Sequence, residues 1–201
     1  MIIDENYKGI KRLENGTYVI EGDIRTEEDL HIELDDWLDV RGSIITKKSL
    51  TAKRKIIAGY GIKAGCGIKA GCRIEAGCGI EAGDGIKAGC GIEAGWGIEA
   101  GDGIKAGCGI KAGDGIKAGD GIEAGWGIKC KILDIGLRIF AGLCLWREPT
   151  EEEQTIEVEE LVNGQVCFGK LKIVKSEETV EEMTLSEVCR QLGKNIKIIK
   201  E

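Results

Sequence analysis

An aliphatic residue recurs at every sixth position from Ile56 to Ile128, through thirteen successive units without a break. The central unit reads Gly-Ile-(Lys or Glu)-Ala-Gly-X, where X is Cys, Asp or Trp, with Tyr60 at the first step. A short period kept this strictly is typical of repeat architectures, in which each unit buries its apolar face only against its neighbours. The repeat constrains the fold more than any other feature of the chain.

Each six-residue unit has the pattern of one short strand followed by one corner. Isoleucine and alanine alternate with the charged residue, so they share one face of the strand and the charge takes the other. The Gly-X-Gly that follows permits positive φ angles, from which we expect a tight corner. Coils stacked at about 4.8 Å would bury the isoleucines as a continuous ladder. We therefore expect a mainly β protein, built as a parallel β-helix.

The residues leave two solenoid geometries open, a three-sided one of about 18 residues per turn and a flattened one of about 12. Charge supports the flattened form, because the charged residues alternate in sign every twelve positions from Lys63 to Glu123. The N-terminal region supports the three-sided form. There, segment 22–32 is echoed by segment 42–52, a shift of 20 residues that an 18-residue turn explains with a two-residue bulge near Asp35–Asp36. We favour the three-sided form.

The chain resembles a known family in its N-terminal half and its repeats. Val19-Ile20-Glu21-Gly22-Asp23-Ile24, followed by Val40-Arg41-Gly42-Ser43-Ile44 and the six-residue units, resembles the bactofilin or polymer-forming cytoskeletal family over about residues 17–146. The resemblance implies a three-sided, right-handed parallel β-helix that polymerises end to end. The chain also resembles the hexapeptide-repeat acyltransferases, but less well. That family prefers a small residue two positions before the aliphatic one, where this chain often has Asp or Trp.

A change of composition near residue 149 predicts a domain boundary. Residues 1–148 are expected to form the β-helix, with an N-terminal capping region and the regular repeats at 56–130. Apolar residues at every odd position from Leu133 to Leu145 predict the last coil, which would close the core. Pro149-Thr150 and three glutamates then separate it from a different kind of sequence.

Residues 149–201 are expected to form a small α+β module that docks on the solenoid or pairs with another subunit. Strands at Ile156–Val162 and Gln165–Val174 flank Asn163-Gly164, a strong hairpin signal. A capping box predicts a helix from Leu185 to Gly193, and 196–200 reads as a final strand. The segment from Leu185 onward also resembles the C-terminal segments of small phage proteins from Gram-positive bacteria.

Charge and cysteine content narrow the cellular setting. The net charge of −7 argues against nonspecific binding to nucleic acid or anionic membranes. The most apolar stretch, Ile128–Trp146, contains Lys131, Asp134 and Arg138 and is a poor membrane span. Nine cysteines with no visible secretion signal at Met1–Asn6 favour free thiols in a cytoplasmic protein.

No residue pattern predicts catalysis, a metal or a cofactor. The acyltransferase resemblance would make His31 a general base, but its apolar neighbours favour an outward-facing strand residue. Stacked cysteines could ligate zinc, yet no Cys-x-x-Cys pair or nearby histidine accompanies them. We interpret them as packed corner residues. The repeat aspartates supply too few oxygens for calcium, and we expect solvated corners. These four are Asp84, Asp102, Asp114 and Asp120.

The aromatic residues at the X position are candidates for protein contacts. A narrow core of Ile and Ala has little room for indole, so we expect the X position to face outward. Exposed tryptophan is favoured at interfaces. Our candidates are Trp96, Trp126, Tyr60 and Trp146.

The sequence leaves three functions open. The first is a non-enzymatic structural scaffold, a β-helix rod that associates with itself as a dimer or polymer. The second is a protein-binding module, such as a phage-encoded inhibitor of a host defence complex of the CRISPR type. The third and least favoured is a hexapeptide acyltransferase. The missing catalytic set and the uniform repeat favour the first.

Overall fold

The computed structural model describes residues 1–144 and 147–175. Within them the chain forms 25 short strands and one 3-10 turn, at Glu152–Gln154. In chain order the strands are β1 (Ile2–Ile3), β2 (Ile10–Arg12), β3 (Tyr18–Ile20), β4 (Ile24–Thr26), β5 (Leu30–Ile32), β6 (Leu38–Val40), β7 (Ile44–Thr46), β8 (Leu50–Ala52), β9 (Ile56–Ala58), β10 (Ile62–Ala64), β11 (Ile68–Ala70), β12 (Ile74–Ala76), β13 (Ile80–Ala82), β14 (Ile86–Ala88), β15 (Ile92–Ala94), β16 (Ile98–Ala100), β17 (Ile104–Ala106), β18 (Ile110–Ala112), β19 (Gly115–Ala118), β20 (Ile122–Ala124), β21 (Ile128–Lys129), β22 (Ile132–Ala141), β23 (Thr155–Val158), β24 (Glu160–Phe168) and β25 (Lys170–Ile173).

The strands wind into a three-sided parallel solenoid. Every third strand of the repeat lies on the same side, so that Ile62 of β10 pairs with Ile80 of β13, 18 residues later. This register confirms the three-sided form and excludes the flattened one. Face A contains β4, β7, β10, β13, β16, β19 and the first half of β22. Face B contains β1, β5, β8, β11, β14, β17, β20 and the second half of β22, and face C contains β2, β3, β6, β9, β12, β15, β18, β21, β23 and β25.

The core is the ladder of aliphatic residues that the repeat predicts. From Ile56 to Ile128, each repeat isoleucine is at most 1% exposed, and each repeat alanine at most 7%. Full burial of one isoleucine contributes about 1.5–3 kcal/mol relative to leaving it in water. Because every rung packs between the rungs of two neighbouring coils, the stability of each coil depends on its neighbours.

The corner glycines have a different role from the one the sequence suggested. No glycine of the regular repeat has a positive φ angle, so the expectation of positive-φ corners is wrong. The first glycine of each corner instead lies against the preceding coil. A Cβ built at Gly95 would come within 3.0 Å of the carbonyl oxygen of Gly77. The second glycine has more room, with 3.5 Å between a Cβ built at Gly97 and the Gly115 carbonyl oxygen, and Ser43 occupies the same corner position three coils earlier. Close stacking of the regular 18-residue coils therefore requires the first glycine, whereas Lys47 and Lys53 take that place where the coils stack at a spacing of 20 residues.

The N-terminal coils contain the predicted bulge. Leu30 pairs with Leu50 at a spacing of 20 residues, whereas Leu38 pairs with Ile56 at a spacing of 18. The two additional residues lie between β5 and β6, around Asp35–Asp36. At this end β2 pairs antiparallel with β3, and β1 adds to face B beside β5.

The described part of the C-terminal stretch continues the solenoid. β23 pairs in parallel with β21 on face C, and β24 pairs in parallel with β22. The expectation that Leu133 to Leu145 form the last coil is therefore wrong, because one further coil follows β22. The described residues between β22 and β23 are 142–144 and 147–154.

The predicted hairpin at Asn163-Gly164 is also wrong. β24 runs through both residues without reversing, and Gly164 has a φ of 117° within a stretch of shifted register. A positive-φ glycine inside a strand is typical of a β-bulge, which bends the strand and leaves its direction unchanged. The predicted helix from Leu185 to Gly193 and the strand at 196–200 lie outside the described residues.

Candidate interaction surfaces

The X positions of the repeat form three corner columns along the solenoid. Each column is held by backbone hydrogen bonds between residues 18 apart, such as Trp96 N–H to Cys78 O at 3.1 Å and Cys108 N–H to Cys90 O at 3.0 Å. We name each corner by the faces that it joins. The CA corner contains Tyr60, Cys78, Trp96 and Asp114. The AB corner contains Cys66, Asp84, Asp102 and Asp120. The BC corner contains Cys72, Cys90, Cys108 and Trp126.

Two of the predicted aromatic residues share the CA corner. Tyr60 is 61% exposed and Trp96 is 63% exposed, and Cys78 lies between them on the intervening coil. A groove of about 550 Å³ runs along face A beside Trp96, and its lining includes the outward side chains Lys63 and Glu81. These side chains form an ion pair across the coils at 2.6 Å. The CA corner thus presents two apolar rings beside a shallow, charged groove.

The third predicted aromatic residue lies on a different corner. Trp126 lies on the BC corner and is 41% exposed. Trp146 lies outside the described residues. Trp37, which was not among the predicted contact residues, is 49% exposed. The Lys55 ammonium lies 5.0 Å from the centre of its ring. The sequence could have predicted its exposure, because Trp37 directly follows the bulge that the 20-residue echo predicts at Asp35–Asp36.

The BC corner brings together three cysteines. Cys90 is exposed and Cys72 and Cys108 are partly exposed, and all three are free thiols. Burial raises the pKa of the Cys108 thiol, and the neighbouring Cys90 thiol adds to the increase. Arg73 opposes it from the same corner and also forms an ion pair with Glu93 at 2.7 Å. The register therefore stacks three thiols beside a guanidinium.

The AB corner stacks three aspartates on successive coils. Backbone hydrogen bonds of 3.3 and 3.2 Å join Asp84 to Asp102 and Asp102 to Asp120. All three side chains are exposed. Across residues 1–144 and 147–175, no group of three or more His, Cys, Asp or Glu side chains is placed to hold a metal ion.

The outward strand positions form charged ladders with an 18-residue spacing. Lys63 pairs with Glu81, and Lys105 pairs with Glu123 at 2.6 Å. Charged residues twelve positions apart lie on different faces and do not pair, so the alternation of charge at that spacing does not indicate contacts. These pairs are exposed, so each contributes little to stability.

Within residues 1–144 and 147–175, the C-terminal coil leaves the inward ladder open. Leu171 stacks on the buried Ile156, and Ile173 stacks on the buried Val158. Yet Leu171 is 43% exposed and Ile173 is 49% exposed. Phe168, at the end of β24, is 45% exposed. The sequence pattern did not predict this apolar end, because the expected hairpin placed these residues in a separate module.

The single histidine, His31, faces outward as the sequence predicted. His31 is exposed on β5, and its Nδ1 lies 2.7 Å from the Thr51 hydroxyl of the next coil. This contact links two coils of face B.

Among the described residues, none of the helices is long and apolar enough to cross a membrane.

Comparisons with known proteins give no match from which a function could be inferred, so the function is inferred from the fold and the surfaces. The sequence matches no protein-family model, and searches of curated proteins and of solved structures give no significant match.

Proposed function

We propose that this protein is a non-enzymatic structural scaffold, a β-solenoid rod that associates with itself through its C-terminal end. The observation that carries the proposal is the open inward ladder at Leu171 and Ile173. Large apolar residues that continue a core column and remain half exposed are typical of an interface with another chain. The resemblance to the bactofilin family, whose members polymerise end to end, supports the same function.

The two ends of the rod differ in a way that favours the C-terminal end. At the N-terminal end Ile3 and Leu30 are fully buried, and β2 crosses antiparallel over face C. At the C-terminal end, β25 is exposed along its whole length. Among the described residues no strand covers this edge, and a parallel edge with apolar side chains pairs readily with another copy. We therefore expect two rods to meet through their C-terminal coils before any longer assembly forms.

The test is the oligomeric state of a variant with both open rungs charged, Leu171→Glu with Ile173→Glu. We expect the wild-type protein to be a dimer or larger by light scattering at micromolar concentration, and the variant to be a monomer. Leu13→Glu is the matched control, because Leu13 is 45% exposed at the N-terminal end. The control should keep the wild-type mass. A wild-type monomer at high concentration would refute the proposal.

A second function, a module that binds another protein, is favoured by the CA corner. Tyr60 and Trp96 are the two most exposed aromatic residues of the described repeat, and they lie on one edge beside the groove of face A. Aromatic residues in such positions commonly dominate binding energy. A phage-encoded inhibitor of a host defence complex is one form that this function could take.

The two functions are separated by a binding comparison with variants at two corners. Tyr60→Ala with Trp96→Ala should abolish co-purification of a partner protein, while Trp126→Ala, on the BC corner, should retain it. If both variants retain every partner, the CA corner is not the binding surface. Neither variant should change self-association through the C-terminal end.

A further inference from the structure

The cysteine stack of the BC corner has a spacing that suits a particular kind of ligand. Cys72, Cys90 and Cys108 occupy the same corner on three successive coils, held in register by backbone hydrogen bonds of 2.9 and 3.0 Å. Adjacent parallel strands lie about 4.8 Å apart. Two thiolates on opposite sides of one ion, each at a metal–sulfur distance of about 2.3 Å, are separated by about 4.6 Å. The coil spacing therefore fits a two-coordinate ion without movement of the backbone.

The same spacing disfavours the other common fates of paired thiols. A disulfide requires Cβ atoms about 3.5–4.5 Å apart, closer than in-register residues on stacked coils. Zinc prefers four tetrahedral ligands. The described residues hold no group of three or more potential ligands in position for such a site. Soft monovalent ions such as Cu(I) select thiolate sulfur, so they fit both the ligand and the geometry.

The surroundings of Cys90 and Cys108 provide access and charge compensation. Both line a groove of about 730 Å³ on face C, together with Arg73 and Trp126. The groove gives an ion a route to the thiols. Two thiolates and one monovalent cation carry a net charge of −1, and the Arg73 guanidinium beside them, which also pairs with Glu75 and Glu93, has the opposite sign. The other corners lack this combination, since Cys66 and Cys78 have no cysteine on the preceding or following coil.

We propose that Cys90 and Cys108 form a binding site for a soft monovalent metal ion, with Cu(I) as the ion of matching chemistry. Both thiols lose their protons on binding, so that one ion displaces two protons and forms one two-coordinate bis-thiolate complex. Because the thiolate is the ligand, binding strengthens as pH rises. The site is independent of the C-terminal end and of the CA corner.

The test is an anaerobic competition between the full-length protein and a Cu(I) chelator, with the bound Cu(I) measured per chain. Changes to groups that only orient ligands cost about 10–100-fold in affinity. Loss of a ligand in Cys90→Ser or Cys108→Ser should therefore weaken the tightest site at least about 100-fold. Cys66→Ser and Cys78→Ser are the matched controls, because each removes one thiol from an equivalent corner position. Both controls should bind as the wild type does.

Serine at these corners should leave the fold intact, because the repeat accepts Cys, Asp and Trp there. Unchanged circular-dichroism spectra and urea midpoints would verify this. X-ray absorption of the Cu(I)-loaded protein should give two sulfur ligands. The proposal is overturned if Cys90→Ser binds like the controls, if Cys108→Ser retains the ion, or if the absorption spectrum gives three or more ligands.

Discussion

Replacing the two glycines that flank Trp96 should have opposite effects on stability. A Cβ at Gly95 would lie within 3.0 Å of the Gly77 carbonyl oxygen, so that Gly95→Ala must push two coils apart. Overpacking of this kind costs about 1–3 kcal/mol. The Cβ of Gly97→Ala would lie 3.5 Å from the Gly115 carbonyl oxygen, an ordinary contact.

Gly97→Ala should also benefit from a smaller loss of chain entropy on folding. Ser43 occupies the equivalent corner position, and no non-glycine residue among the described ones has a positive φ angle. An L side chain is therefore accommodated there. Gly→Ala substitutions at compatible positions stabilise by about 0.4–1 kcal/mol, because the unfolded chain has fewer conformations to lose.

The measurement is urea unfolding of the wild type and the two variants, followed by far-ultraviolet circular dichroism. We expect the midpoint to fall for Gly95→Ala and to stay or rise for Gly97→Ala, with the slopes unchanged. Because both residues flank the same exposed Trp96, composition and local exposure are matched. Equal destabilisation by both variants would mean that corner glycines serve backbone conformation rather than coil stacking.

Three further predictions concern the core, the described residues between β22 and β23, and a buried thiol. Ile56→Ala should cost about 2–5 kcal/mol in urea unfolding, while Ile57→Ala, one residue later and facing outward, should cost far less; similar losses would contradict the assigned strand faces. The Arg147 guanidinium and the Thr150 backbone lower the pKa of Glu153 to about 2. The ionised Glu153 carboxylate therefore stabilises the folded state above pH 4.5, the ordinary pKa of the group, and this stabilisation is lost as the pH falls toward 2. Arg147→Ala should raise that pKa toward 4.5 in an NMR titration, and an unchanged value would rule out the pairing. Burial raises the pKa of Cys130 to about 12, so at pH 8 a thiol reagent should modify it after the exposed cysteines; early modification would contradict its burial.

Predictions from the local sequence pattern were correct for features that depend on the residues of a single coil. The alternation of Ile and Ala around a charged residue correctly identified the inward and outward positions of every repeat strand. The 20-residue echo correctly placed the two-residue bulge near Asp35–Asp36. Both inferences rest on side-chain direction along a strand, which alternates whatever the strand pairs with.

Predictions failed where the outcome depended on pairing between distant segments. Asn163-Gly164 has a strong local preference for a hairpin, but β24 instead pairs in parallel with β22, about 28 residues earlier, with shifts of register along the pair. The glycines at the corners also have a non-local role, because the atom that excludes a Cβ at Gly95 belongs to the preceding coil.

The amino-acid sequence by itself determined that short strands alternate with corners, and that isoleucine and alanine form the core. Only the tertiary structure decided the number of residues per turn, and with it which residues stack. A turn of 18 places Cys90 beside Cys108 and leaves one coil, that of Cys78, between Tyr60 and Trp96, whereas a turn of 12 would have stacked Cys90 on Cys78. The physical reason is that a six-residue period is compatible with either turn, because it specifies each strand and leaves the pairing between coils to long-range packing.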